Sequence, residues 1–135
     1  MSAKENGILI VEDEPSISMM LEDMLTDLGF VVDGCAYREE EALDLLESSM
    51  PDLALLDINL GLTTSLAIAA ACKNRGIAVV FTTGYATQDV PSECGNAPIL
   101  SKPFSTADLK TAISLGLSMN RDPGAASRPA GMLTA

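Results

Sequence analysis

At 135 residues the chain has room for one domain of the usual ~100 to 200 residues. Its formal charge of -11, from 19 acidic against 8 basic side chains, argues against a nucleic-acid partner, because each phosphate contact requires a Lys or Arg that the chain largely lacks. The absence of histidine rules out a Ser-His or Cys-His catalytic pair, and three cysteines without CxxC spacing suggest buried free thiols rather than a disulfide framework or a zinc site. Apolar residues make up 47% of the chain and aromatics 4%, so a core must be assembled from Leu, Ile, Val, Ala and Met. The longest apolar run, Leu66 to Cys72, is far too short to span a bilayer, which together with the absence of a leader-like N-terminus predicts a cytoplasmic protein.

"GILIV" (7–11) is a short β-branched run that predicts a first strand. Ile17, Met20, Leu21, Met24, Leu25 and Leu28 then recur at helical spacing before Gly29, with the methionines expected to fill core. Asp13 or Glu14, ahead of Pro15, can serve as that helix's cap. "FVVDGCA" (30–36) predicts a second strand. "REEEALDLLESS" (38–49) predicts a second helix, with Ala42, Leu43 and Leu46 inward and the acids in solvent. "LALLD" (53–57) is continuously apolar up to Asp57, as a central parallel strand covered on both faces would be.

"TSLAIAAACKNRG" (64–76) predicts a helix ending at Gly76, and "IAVVFTT" (77–83) another central strand. Pro91, Gly95 and Asn96 interrupt any helix over residues 86–97, so a fourth helix is expected to be irregular or shortened. "PIL" (98–100) predicts a fifth strand. A last helix starts near Ser105, which with Asp108 has capping-box spacing. Five βα repeats predict a doubly wound parallel sheet with right-handed crossovers. Residues 1–119 form the expected domain and 120–135, rich in Gly, Pro, Ser and Ala, a disordered tail.

In such a sheet, with strand order 2-1-3-4-5, ligands bind beyond the carboxyl ends of the strands, where the order reverses between strands one and three. Glu12 and Asp13 follow the first of these strands and Asp57 ends the other. Carboxylates ~4 Å apart repel by about 4 kcal/mol per pair at an effective dielectric near 20, so a cation is expected among them. Hard oxygen ligands suit Mg²⁺, with Mn²⁺ or Ca²⁺ able to substitute. Lys102, after the fifth strand, can reach back toward Asp57, and Thr83 puts a hydroxyl on the same rim. Taken singly, each residue has a bland explanation as turn, strand or surface residue. Their joint placement at four strand ends does not.

"ILIVEDE", "LLDINL", "FTTG" and "SKPF", in this order, resemble the receiver domain of bacterial two-component response regulators, a flavodoxin-like fold, over about Gly7 to Leu117. The resemblance implies that Asp57 is the phosphoacceptor. It further implies that Glu12, Asp13 and Asp57, with the backbone carbonyl of Asn59, hold the metal, that Thr83 is the switch hydroxyl, and that Lys102 pairs with the phosphoryl group. A cis Lys102-Pro103 bond is common in that family. The implied partners are a histidine kinase or phosphotransfer protein upstream and a downstream protein not identified by the sequence. The implied role is signalling by protein contact, or acting as a phosphoryl shuttle or sink, not as an enzyme on other substrates.

Two features depart from that pattern. Ile99 stands three residues before the lysine, where most receivers have Tyr or Phe, so Tyr85, after "FTTG", is expected to carry part of the signalling. Gly61 replaces a frequent Pro and is expected to loosen the loop after the third strand. A phosphorylation-independent adaptor is the alternative reading. A phosphatase of the haloacid dehalogenase type is less consistent with the sequence, because Asn59 stands where those enzymes carry a second Asp.

Overall fold

The computed structural model describes residues 7–61, 63–84 and 91–121. Twelve segments follow one another along the chain: β1 (Gly7–Val11), α1 (Pro15–Asp27), β2 (Val31–Ala36), α2 (Glu39–Ser49), β3 (Leu53–Asp57), β4 (Asn59–Leu60), β5 (Thr63–Thr64), α3 (Leu66–Asn74), β6 (Ala78–Thr83), a 3₁₀ turn (Ser92–Cys94), β7 (Ile99–Ser101) and α4 (Thr106–Arg121). β2, β1, β3, β6 and β7 lie side by side in that order, all parallel, giving the doubly wound sheet with order 2-1-3-4-5 among its five strands. β4 and β5 form a separate antiparallel ribbon.

The strand sequences lack polar alternation because both faces are covered. Ile8 and Ile10 of β1 join Leu53, Leu55, Val80 and Ile113 in one apolar layer, with Leu21 and Leu25 of α1. Leu9 and Val11 point the other way, into a layer with Leu46, Leu56, Ile68 and Phe81. Thus α1 and α4 pack on one face, α2 and α3 on the other. The β1–β2 register slips between Ile8 and Leu9, where Asp33 is the extra residue on the edge strand.

The helix boundaries follow local chemistry. Pro15 opens α1 after Glu14, whose side chain makes no capping bond. Gly29 and Gly76, past the ends of α1 and α3, have φ of +92° and +73°, a region open to glycine. At α4 the capping box is complete: the Ser105 hydroxyl accepts from the Asp108 N–H at 3.0 Å, and the Asp108 carboxylate accepts from the Ser105 N–H at 3.2 Å.

Several expectations are corrected. The buried stripe of α1 centres on Ser18, Leu21 and Leu25, which turns Met20 away from the sheet, and Met20 is 48% exposed. Glu41 of α2 is not simply solvated, because its carboxylate accepts from the Tyr37 N–H at 2.8 Å. α4 continues through Asn120, whose side-chain amide donates to the Gly76 carbonyl at 2.7 Å, so residues 120 and 121 belong to the helix. Between β6 and β7 the described residues hold only the 3₁₀ turn. Residues 85–90, including Tyr85, and the rest of the expected tail lie outside the described residues. Cys72 and Cys94 are buried and Cys35 half-buried, all as free thiols, and burial pushes the Cys72 thiol up to about 12. Among the described residues no helix is long and apolar enough to cross a membrane.

Candidate functional site

Four strand ends place the charged and hydroxyl residues on one rim. The Glu12 N–H extends the β1–β2 ladder by donating to the Ala36 carbonyl at 3.0 Å, which fixes the backbone and directs the side chain to the crevice, where it is 1% exposed. Asp13 follows, exposed, at the mouth. Asp57 ends β3 in register with Thr82 of β6 and is 9% exposed. Carboxylate oxygens of Glu12, Asp13 and Asp57 lie within 4.8 Å of one another.

Lys102 supplies the balancing charge within the protein. Its ammonium donates to Glu12 Oε1 at 3.0 Å and to Asp57 Oδ2 at 3.2 Å. Its backbone N–H donates to the Thr83 carbonyl at 2.8 Å, and the Lys102-Pro103 peptide is cis. Thr83 is fully buried at the end of β6, paired with Ser101 of β7. Ile99 is half-buried in register with Phe81.

The electrostatics follow from this crowding. Burial pushes the Glu12 carboxyl up from 4.5 to about 7; the hydrogen bond from Lys102 opposes the rise and the neighbouring Asp57 charge adds to it. Burial works against the Lys102 ammonium too, but the hydrogen bond to Glu12 and the field of Asp57 outweigh it and raise its pKa. With all three acids ionised, Lys102 leaves a surplus of two negative charges. Convergent hard oxygens with that surplus fit a divalent cation such as Mg²⁺.

Asn59 sits beside this cluster, its N–H donating to Asp57 Oδ1 at 3.2 Å. The loop after β3 that Gly61 is expected to loosen carries a short ribbon. Residues 59–60 and 63–64 pair in it, and Gly61 takes φ of +65°, which a proline cannot adopt. Four paired residues are too short a run to show periodicity, so the sequence gives no strand signal there. The structure also shows that Lys102 holds Glu12 as well as Asp57. Sequence spacing carries no sign of that contact, which spans 90 residues.

Residues 8–114 match the family model described as "Response regulator receiver domain". The solution structure of SdrG from Sphingomonas melonis Fr1 superposes with a TM-score of 0.76 at 40% identity, covering 87% of this chain and 99% of that one. The chain is 34% identical over 125 residues to the transcriptional regulatory protein PdtaR of Mycobacterium tuberculosis, covering 90% of this chain and 61% of the relative. It is 37% identical over 114 residues to the phyllosphere-induced regulator PhyR of Methylorubrum extorquens, covering 82% of this chain and 43% of the relative. The match thus spans about half the length of these two curated relatives.

Proposed function

The chain belongs to the response regulator receiver domain family, and on that premise we propose that Asp57 accepts a phosphoryl group in a Mg²⁺-dependent reaction and that the phosphorylated domain signals by contact with another protein. The observation that carries this reading is that Lys102 Nζ lies 3.0 Å from Glu12 and 3.2 Å from Asp57 at the sheet's topological switch point.

Glu12, Asp13, Asp57 and the Asn59 carbonyl would hold the ion, which when bound neutralises charge on the transferring phosphoryl group. An Asp57 carboxylate oxygen attacks phosphorus, the bond from phosphorus to the donor breaks, and the donor keeps the electron pair. The product is an acyl phosphate. Lys102, already in contact with Asp57, pairs with the phosphoryl oxygens once they arrive. Because these 135 residues hold no histidine, the donor lies outside them: a histidine kinase, a phosphotransfer protein or a small acyl phosphate. Attack of water at phosphorus resets the carboxylate.

The response is a population shift in which the Thr83 hydroxyl turns to the phosphoryl group and the β6–β7 rim repacks around Ile99, with Tyr85 carrying part of the signal. Moving an equilibrium from 1:99 to 99:1 requires about 5.5 kcal/mol of differential stabilisation. A few charge-assisted hydrogen bonds of ~1.5 to 3 kcal/mol each supply it. Action in the cytoplasm, as a shuttle, sink or effector, belongs to the same proposal.

The test is intact mass after incubation with Mg²⁺ and acetyl phosphate, for the wild type and Asp57→Asn, with and without a chelator. A single alkali-labile phosphoryl adduct that requires both the ion and Asp57 is the expected result. An adduct on Asp57→Asn would sink the assignment. No adduct from acetyl phosphate or from a panel of histidine kinases would favour a phosphorylation-independent adaptor.

A further inference from the structure

The β4–β5 ribbon, absent from the sequence pattern, bears on the one proposed metal ligand that is not a side chain. Asn59 faces Thr64 and Leu60 faces Thr63 in an antiparallel pair. One step beyond, the Ser65 N–H donates to the Ile58 carbonyl at 2.9 Å. Hydrogen-bonded and non-hydrogen-bonded pairs alternate along an antiparallel ladder. The Ile58 carbonyl faces Ser65, while the Ile58 N–H donates to the Thr82 carbonyl at 3.0 Å, so Ile58 supplies one bond of the ladder and Asn59–Thr64 falls in the other class. The N–H and C=O of Asn59 therefore both turn away from Thr64, toward the opposite side of the strand. On that side lies Asp57, whose Oδ1 accepts from the Asn59 N–H at 3.2 Å.

We propose that this ribbon is a positioning device, with Gly61 and Thr64 the residues that set it, which presents the Asn59 carbonyl to a divalent cation before the cation arrives. This rests on the receiver reading above.

Each end of the ribbon is fastened. Gly61 makes the reversal at φ +65°, a conformation that side chains with a Cβ rarely adopt. The Thr63 hydroxyl donates to the Leu60 carbonyl at 3.2 Å, and the Thr64 hydroxyl accepts from the Leu66 N–H at 3.4 Å, tying the returning strand to the start of α3. Ile58, Leu60 and Ser65 are buried beneath it. A carbonyl held this way need not be ordered on binding, whereas one in a free loop would be. Without a favourable turn at 61, the metal-free loop relaxes away and the ion must draw it back.

Calorimetric titration of Mg²⁺ into the phosphate-free protein tests this, with Gly61→Ala, Gly61→Asn and Asp57→Asn alongside the wild type. A Cβ in the left-handed region is strained by ~1 to 2 kcal/mol, so Gly61→Ala should weaken Mg²⁺ binding about tenfold. Gly61→Asn, which tolerates that region, should stay within about twofold of wild type. Thermal midpoints measured in chelator separate the device from global damage: the affinity should track the turn residue, while the metal-free midpoints of the two Gly61 variants stay close to each other. Amide exchange at Asn59 should speed up in Gly61→Ala and not in Gly61→Asn. Equal Mg²⁺ affinity in Gly61→Ala and wild type, or equal weakening by Ala and Asn, would overturn the positioning role. No Mg²⁺ binding by the wild type would instead overturn the receiver reading on which it rests.

Discussion

Lys102 Nζ lies 3.0 Å from Glu12 Oε1, so the residue after β7 and the residue after β1 share a hydrogen bond across the mouth of the crevice. The ammonium thus neutralises charge that a divalent cation would otherwise neutralise, and a bound ion would compete with the lysine for the same carboxylates.

Removing that competitor should tighten Mg²⁺ binding. A unit charge ~4 Å away contributes between about 1 and 4 kcal/mol in a half-solvated setting, so Lys102→Met is expected to bind Mg²⁺ about tenfold more tightly than wild type by calorimetry. The same variant should lose phosphorylation rate, because the phosphoryl oxygens lose their cation. Weaker Mg²⁺ binding in Lys102→Met would mean that the lysine organises the carboxylates instead of competing for them.

Glu12 makes folding stability depend on pH in a fixed sense. Its carboxyl, pushed by burial from 4.5 up to about 7, keeps a proton in the folded protein that the unfolded chain has already released. Its contribution to stability is therefore fully present below pH ~4.5 and is lost as pH rises through about 7. In metal-free buffer, urea unfolding from about pH 5 to about pH 7.5 should show a fall in stability that Glu12→Gln largely removes. Parallel pH profiles for the two proteins would contradict this.

Gly116 of α4 lies tight against the sheet, where an added Cβ would stand 3.1 Å from Val80 Cγ2 and 3.3 Å from Leu53 Cδ1. Gly116→Ala sets a helix-propensity gain of about 1 kcal/mol against that crowding and should stay within about 1 kcal/mol of wild type. Gly116→Leu should lose about 2 kcal/mol or more in urea unfolding, because neither neighbour can withdraw from the close-packed layer.

Thr83→Ala separates modification from response. The variant should still form the Asp57 adduct, since the hydroxyl is not the nucleophile. Amide shifts around Ile99 and Ser101 on addition of the phosphoryl analogue beryllofluoride should shrink to a small fraction of those in wild type. Full-sized shifts there would move the switch to another residue.

The sheet was legible because β1, β3 and β6 are buried on both faces and must be written as unbroken apolar runs. The grouping was legible because the placement of Glu12, Asp13, Asp57 and Thr83 depends only on where those runs stop, and that of Lys102 on where the short β7 stops. Met20 was misjudged because periodicity fixes the spacing of a stripe and not its centre, and a buried Ser18 shifted that centre. The ribbon was missed because two-residue strands leave no period to detect, and its one signal, Gly61, serves equally as a loose hinge or a left-handed turn. The Lys102–Glu12 bond joins opposite ends of the chain, a contact that only the closed sheet defines.

The backbone bond from the Lys102 N–H to the Thr83 carbonyl has a mechanical consequence. The backbone of Lys102, just past β7, is thereby tied to the backbone of Thr83 at the end of β6, so a shift of one strand end is expected to move the seat of the other side chain. Effects of substitutions at Lys102 and Thr83 on the response should therefore be strongly non-additive, each removing most of what the other could still transmit.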